Sequence, residues 1–244
     1  MYLPTIQGII DRRILVNYHV APALVEDIVP PPFRPQLVRG MAIAGFCLIR
    51  LTHLRPRGMP AVLGLSSENA AHRIAVEWEE HGQQRTGVYI PMRHSSSHVN
   101  VLAGDRLFPG LQRHADFEVM ESNETFRVKV ESSDHETRLV VEAQLTSNFA
   151  TTSLFESLQE ASAFFEQGSV GYSVTKRLNT LDGLELHSRN WQIEPLQVTR
   201  VESSFFDDCG RFPAGSIELD CALLMRAVEH EWHVREPLCS CSKT

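Results

Sequence analysis

Apolar residues in this chain recur mostly at period two, and that alternation confines it to folds built from sheets. Ile14, Val16, Tyr18 and Val20 alternate with Leu15, Asn17 and His19, which predicts a first strand over 14–20. Residues 37–51 are apolar on both parities, so this strand is expected to be covered on both faces, with a bend at Gly45. Ile74, Val76 and Trp78 oppose Arg73, Ala75 and Glu77, and Gly82 turns the chain into 85–92, a hairpin. An antiparallel meander is predicted at 113–120, 125–132 and 137–146, and further strands at 170–176, 184–188, 190–204 and 216–228. Helical spacing occurs at 22–28, stopped by prolines 30–32, and at 158–166. More than ten strands and two short helices predict a mainly β fold, an antiparallel cone or barrel closed to hide its edges.

A chain of 244 residues without repeats or a long linker is expected to form one domain over 1–236, with a polar tail at 237–244. The net charge of −7 supplies no basic excess for nucleic acid or an anionic membrane. The longest apolar run, 41–49, is too short to span a bilayer, and the N-terminus has no basic and apolar leader pattern, so a cytoplasmic location is expected. The five cysteines are scattered: Cys47 and Cys221 read as buried thiols, and Cys239 and Cys241 as tail residues. A homo-oligomer is compatible with all of this.

Glu68 and His72 share the parity of Ile74, so both are expected to face the covered side and to act as a general acid–base pair. The plainer alternative makes His72 a core histidine with ordinary partners. Tyr89 and Arg93 are assigned to one face, and the run Arg93 to His98 reads as a binding loop in which Arg93 clamps a carboxylate beside His94 and Ser96. A merely solvated loop is the competing reading. The serines lack a Gly-x-Ser-x-Gly elbow. Glu202 shares a face with Arg200 and meets either that residue or the pocket. His230 and His233 would point to opposite faces of a strand and cannot close a tetrahedral site, so no metal and no cofactor are expected.

The segments 39–45, 64–73 and Glu229-His230-Glu231-Trp232-His233 resemble the uncharacterised bacterial YqjF-like family of the acetoacetate decarboxylase-like superfamily, over nearly the whole chain. The opening from Asn17 to Pro32 is similar to the strand, helix and proline start of the decarboxylase. The resemblance implies a cone of antiparallel strands around a small-molecule cavity. It also implies a substrate-binding arginine before the first strand, where Arg12 and Arg13 stand, and a Schiff-base lysine in a Pro-Lys-Lys segment. The nearest equivalent here is Pro91-Met92-Arg93 or, by a different gap placement, Ser95-Ser96, and neither contains lysine. The chain has only three lysines, Lys129, Lys176 and Lys243, against twenty arginines. Lys176 is the one candidate replacement.

These readings converge on a protein that takes a small anionic or carbonyl compound. It is either an enzyme working by acid–base catalysis without an imine, or a non-catalytic binder using the same cavity.

Overall fold

The computed structural model describes residues 5–102 and 110–240. Thirteen strands form one curved sheet: β1 (Ile6–Val20), β2 (Arg34–Pro35), β3 (Leu37–Val38), β4 (Met41–Pro56), β5 (Leu65–Glu80), β6 (Gln83–Ser95), β7 (Gln112–Glu121), β8 (Thr125–Ser132), β9 (Arg138–Leu145), β10 (Val170–Val174), β11 (Thr180–Ser188), β12 (Glu194–Ser203) and β13 (Ile217–Cys239). Three helices accompany them: α1 (Pro22–Glu26), α2 (His98–Leu102) and α3 (Leu158–Gln167). None of the helices is long and apolar enough to cross a membrane.

Five long strands, in the order β13-β1-β4-β5-β6, form a wall covered on both faces. The sheet returns to this wall by two routes: one through β7, β8, β9 and β12, the other through β10 and β11, which pairs β13. The first route encloses the main core, where Phe46, Val128, Leu139, Phe205 and Phe206 are buried. The second, with α3 across it, encloses a smaller space between two lesser apolar clusters. Most pairings are antiparallel as expected, but β6 runs parallel to both β7 and β10.

Local chemistry explains several of these elements. His81 and Gly82 both have positive φ, which gives the two-residue turn of the β5–β6 hairpin the twist its strands need. β4 runs on without a register break at Gly45, where a Cβ would collide with the backbone of Val16, so glycine permits the close approach of β1 and β4. α3 starts on Ser157, whose hydroxyl accepts from the Glu160 N–H.

Several sequence boundaries shift. β1 begins at Ile6, so Arg12 and Arg13 lie inside the first strand rather than before it. β6 continues through Ser95 and α2 follows, so Arg93 to Ser95 belong to a strand and not to a loop. β13 runs on to Cys239, which pairs with Thr180, so the tail is shorter than the sequence suggested. Cys241 and Lys243 lie outside the described residues.

Among the described residues His72, His94 and His230 are buried, and His72 and His94 have no hydrogen-bond partner for either ring nitrogen. His72 is fully enclosed beside the rings of Phe205, Phe206 and Phe46 at 4.9, 5.8 and 6.1 Å. Burial, with lesser contributions from His94 and Arg211, lowers its pKa from 6.5 to about 3. His94 and His230 are each lowered to about 4, chiefly by burial. The unfolded chain therefore binds protons that the folded one refuses. Stability is fully present above pH 6.5 and falls as the pH drops toward 4 and then 3. Urea unfolding between pH 7 and 4.5 is expected to show a steep loss, and His72→Leu should flatten it by up to ~1.4 kcal/mol per pH unit. An unchanged slope in that variant would remove His72 from the explanation.

Candidate functional site

The space between the wall and β10, β11 and α3 is a cavity of about 130 Å³. Its lining is mainly apolar, with Ile49, Ile90, Phe165, Leu184, Trp191 and Trp232 among the side chains. Three arginines enter it: Arg13 from β1, Arg73 from β5 and Arg93 from β6. Among the described residues no aspartate or glutamate lines the cavity. None of the three makes an ion pair among the described residues, whereas fifteen other arginines do.

 Each of those fifteen, Arg12 and Arg50 among them, has a carboxylate within ion-pair distance.

The cavity arginines are held by neutral groups. Arg93 Nε donates to Ser173 Oγ at 3.1 Å. Arg73 donates to Asn17 Oδ1, and its guanidinium lies 5.0 Å from the centre of the Phe165 ring. Arg13 meets two sulfurs, Met225 Sδ at 3.9 Å and Cys47, and the Nε atoms of Arg13 and Arg73 are buried without a partner. Burial lowers all three pKa values, those of Arg73 and Arg93 to about 10, which leaves them charged at neutral pH. The lining also includes His94, Asn69 and Asn100; Asn100 Nδ2 donates to Ser67 Oγ at 3.1 Å and to Ser95 Oγ at 3.3 Å.

The structure divides the residues singled out from sequence. Arg13, Arg93 and His94 line the cavity. Glu68 and His72 share a face, but it is the opposite face of the wall, and four residues separate them by about 13 Å of strand. Glu68 accepts from Arg12 and Arg50, each at 2.6 Å, while His72 sits among phenylalanines, so the two are not brought together as an acid–base pair. Arg12 completes that ion cluster by donating to Glu121 at 2.7 Å. Ser96 Oγ accepts from the Glu68 backbone N–H at 3.0 Å, outside the cavity lining. Glu202 pairs with Arg200 and Arg138 on exposed β12.

Tyr89 does not share a face with Arg93. Opposite Arg73, the single residue between His72 and Ile74, β6 carries both Ile90 and Pro91, and this bulge reverses the alternation. Tyr89 and Met92 consequently face the main core, while Ile90 and Arg93 face the cavity. Arg73 is the arginine that sequence reading passed over. Its alternation with Ile74 was visible, but on a wall covered on both faces alternation does not say which side holds a ligand.

His230 and His233 lie on opposite faces of β13 as expected: His230 is buried and His233 meets Glu231 at 3.0 Å. Lys129 is paired with Glu118 on the surface, Lys176 is exposed, and among the described residues no lysine lines the cavity.

The fold is that of the acetoacetate decarboxylase-like enzymes. An acetoacetate decarboxylase from Legionella pneumophila superposes with a TM-score of 0.61 at 10% identity, over 96% of this chain and 88% of that one. The enduracididine biosynthesis enzyme MppR, in complex with a condensation product of pyruvate and imidazole 4-carboxaldehyde, gives 0.60 at 12% identity, over 98% and 90%. An acetoacetate decarboxylase-like enzyme from Sphingomonas wittichii RW1 gives 0.57 at 12%, over 98% and 93%. No curated protein sequence matches the chain. Residues 10–222 match the model of DUF2071, a family described as an uncharacterized conserved protein, and the chain belongs to that family.

An arginine with no counter-charge in an apolar cavity costs stability. Arg13→Met is therefore expected to raise the melting temperature by about 2–4 °C, the shift that ~1 kcal/mol gives in a domain of this size, and to weaken anion binding. A lower melting temperature in this variant would mean that Arg13 holds the fold together instead.

Proposed function

We propose that this protein is a small-molecule enzyme that holds a carboxylate-bearing carbonyl compound in the cavity and acts on it without forming an imine. The observation that carries this reading is the set of three cavity arginines with no acidic residue beside them among the described residues. A buried guanidinium needs a partner, and a carboxylate satisfies its planar fork with two parallel hydrogen bonds. The likeness to MppR in its pyruvate complex supports the ligand class.

The same charges favour chemistry next to the carboxylate. One guanidinium holds the anion, and a second stabilises negative charge that develops on a carbonyl oxygen when a neighbouring C–H is lost. His94 takes the proton role first assigned to Glu68 and His72. It is neutral at pH 7, lines the cavity and has no competing hydrogen bond. The second reading, a non-catalytic binder, is favoured by the separation of Glu68 from His72.

Trp191 and Trp232 line the cavity, so intrinsic fluorescence reports occupancy. Pyruvate is expected to bind and its neutral amide, pyruvamide, to bind at least about tenfold more weakly, with Arg93→Gln removing the difference. In D₂O, proton NMR should show deuterium entering the pyruvate methyl group, more slowly in His94→Gln. Binding without exchange would select the binder. Borohydride treatment with pyruvate should leave the intact mass unchanged, and a reduced adduct on Lys176 would overturn the imine-free reading.

A further inference from the structure

Cys47 lies at the centre of the cavity's cationic wall, and the strand register alone puts it there. One row across the sheet runs Leu15, Cys47, Ala71, Arg93 on β1, β4, β5 and β6. Two residues along the strands, the neighbouring row on the same face runs Arg13, Ile49, Asn69, and the row on the other side runs Asn17, Gly45, Arg73. Cys47 thus has Arg13 and Arg73 on opposite diagonals, each about 7–8 Å away between Cα atoms, and Arg93 in its own row beyond a small alanine. Its side chain is the electrostatic neighbour that all three guanidiniums have in common. Cys47 lines the cavity and is not disulfide-bonded. The Nε atoms of Arg13 and Arg73 are buried on this wall without a hydrogen-bond partner, and neither guanidinium has a carboxylate partner among the described residues.

We propose that Cys47 is a nucleophilic thiol of this cavity, selective for small compounds that carry a carboxylate next to an electrophilic carbon. The reasoning rests on the anion-binding part of the proposed function and adds a bond-forming group to it. A thiolate is the reactive form of cysteine, and nearby cations draw an anionic reagent to it. With a 2-oxo acid the addition is balanced and reversible. The S–C bond forms at the carbonyl carbon as the C=O π bond breaks, and the oxygen takes up the proton that the thiol gives up. With a haloacetate the S–C bond forms as the carbon–halogen bond breaks, halide leaves and the proton goes to water.

Cys221 differs in every respect that matters. It lies outside the cavity lining, its sulfur accepts from Asn17 Nδ2 at 3.4 Å, and burial and Asp220 raise its pKa, so it is the internal unreactive reference. Cys209 is exposed and is the reference for an ordinary thiol.

Iodoacetate and iodoacetamide are nearly the same size and differ in charge, so their rates at each cysteine of the folded full chain isolate the electrostatic contribution. Peptide mass mapping is expected to show Cys47 alkylated at least about tenfold faster by iodoacetate than by iodoacetamide, a factor equivalent to ~1.4 kcal/mol. Cys209 should show no such preference, Arg93→Gln should reduce that of Cys47, and saturating pyruvate should slow the reaction. Equal rates at Cys47, a preference for iodoacetamide, or no label while Cys209 is fully modified would overturn the proposal. If pyruvate still changes tryptophan fluorescence in that case, the anion site stands and only the nucleophile falls.

Discussion

Both compartments of this protein depend on the hydrogen-bonded register of β1, β4 and β5. These strands are covered on both faces, so one register decides at once which side chains fill the main core and which line the cavity. Because the side-chain period is two, slipping one strand by one residue would exchange the two sets. Ile14 and Leu48 would turn toward the cavity, and Leu15, Cys47 and Ala71 toward the main core. The core tolerates no such exchange, since it would bring Arg13 and Arg73 among its phenylalanines. Burial of ordinary apolar residues on one face therefore fixes the position of charged ones on the other.

Arg12 and Arg13 show how sharply the wall separates electrostatic environments. They are adjacent in sequence. Arg12 points to the side where Glu68, Glu121 and Arg50 form an alternating cluster of charges, and it is buried with its charge balanced. Arg13 points to the cavity and has no carboxylate. The chain carries seven more acidic than basic side chains, yet it concentrates three unbalanced cations in one small apolar space. An arrangement of this kind is costly when empty, and a ligand that binds only the folded state recovers the cost through linkage.

The architecture was legible because alternation survives on most strands. The β5–β6 hairpin, the β7–β9 meander and α3 all fall within a few residues of where periodicity put them. The site was less legible for two physical reasons. A bulge at Ile90 and Pro91 reverses parity within β6, so extrapolating from Tyr89 to Arg93 assigned them to one face when they occupy two. A doubly covered wall also makes inside ambiguous. Glu68 and His72 do point inward, but into the ion cluster and the aromatic core rather than the cavity. Arg73 was read simply as the alternate face of β5. The resemblance to the decarboxylase superfamily named the cavity without saying which strand face lines it.

The skew from lysine to arginine now has a location and a consequence. Arg93 stands at the end of Pro91-Met92-Arg93, the segment that resembles the lysine-bearing one of the decarboxylase, and it points into the cavity. A lysine in that position would bring both charge and a nucleophile, since an amine loses its proton when burial and nearby cations lower its pKa. A guanidinium lowered to about 10 still keeps its proton at neutral pH, so the position retains the charge and loses the nucleophile. On the proposal above, bond-forming chemistry comes from a different element. On the cavity face, the row that contains Arg93 also contains Cys47, two strands away, and every other residue in that row between β1 and β6 is apolar. Anion recognition and nucleophilicity, united in one lysine segment by the resemblance, are in this chain divided between β6 and β4.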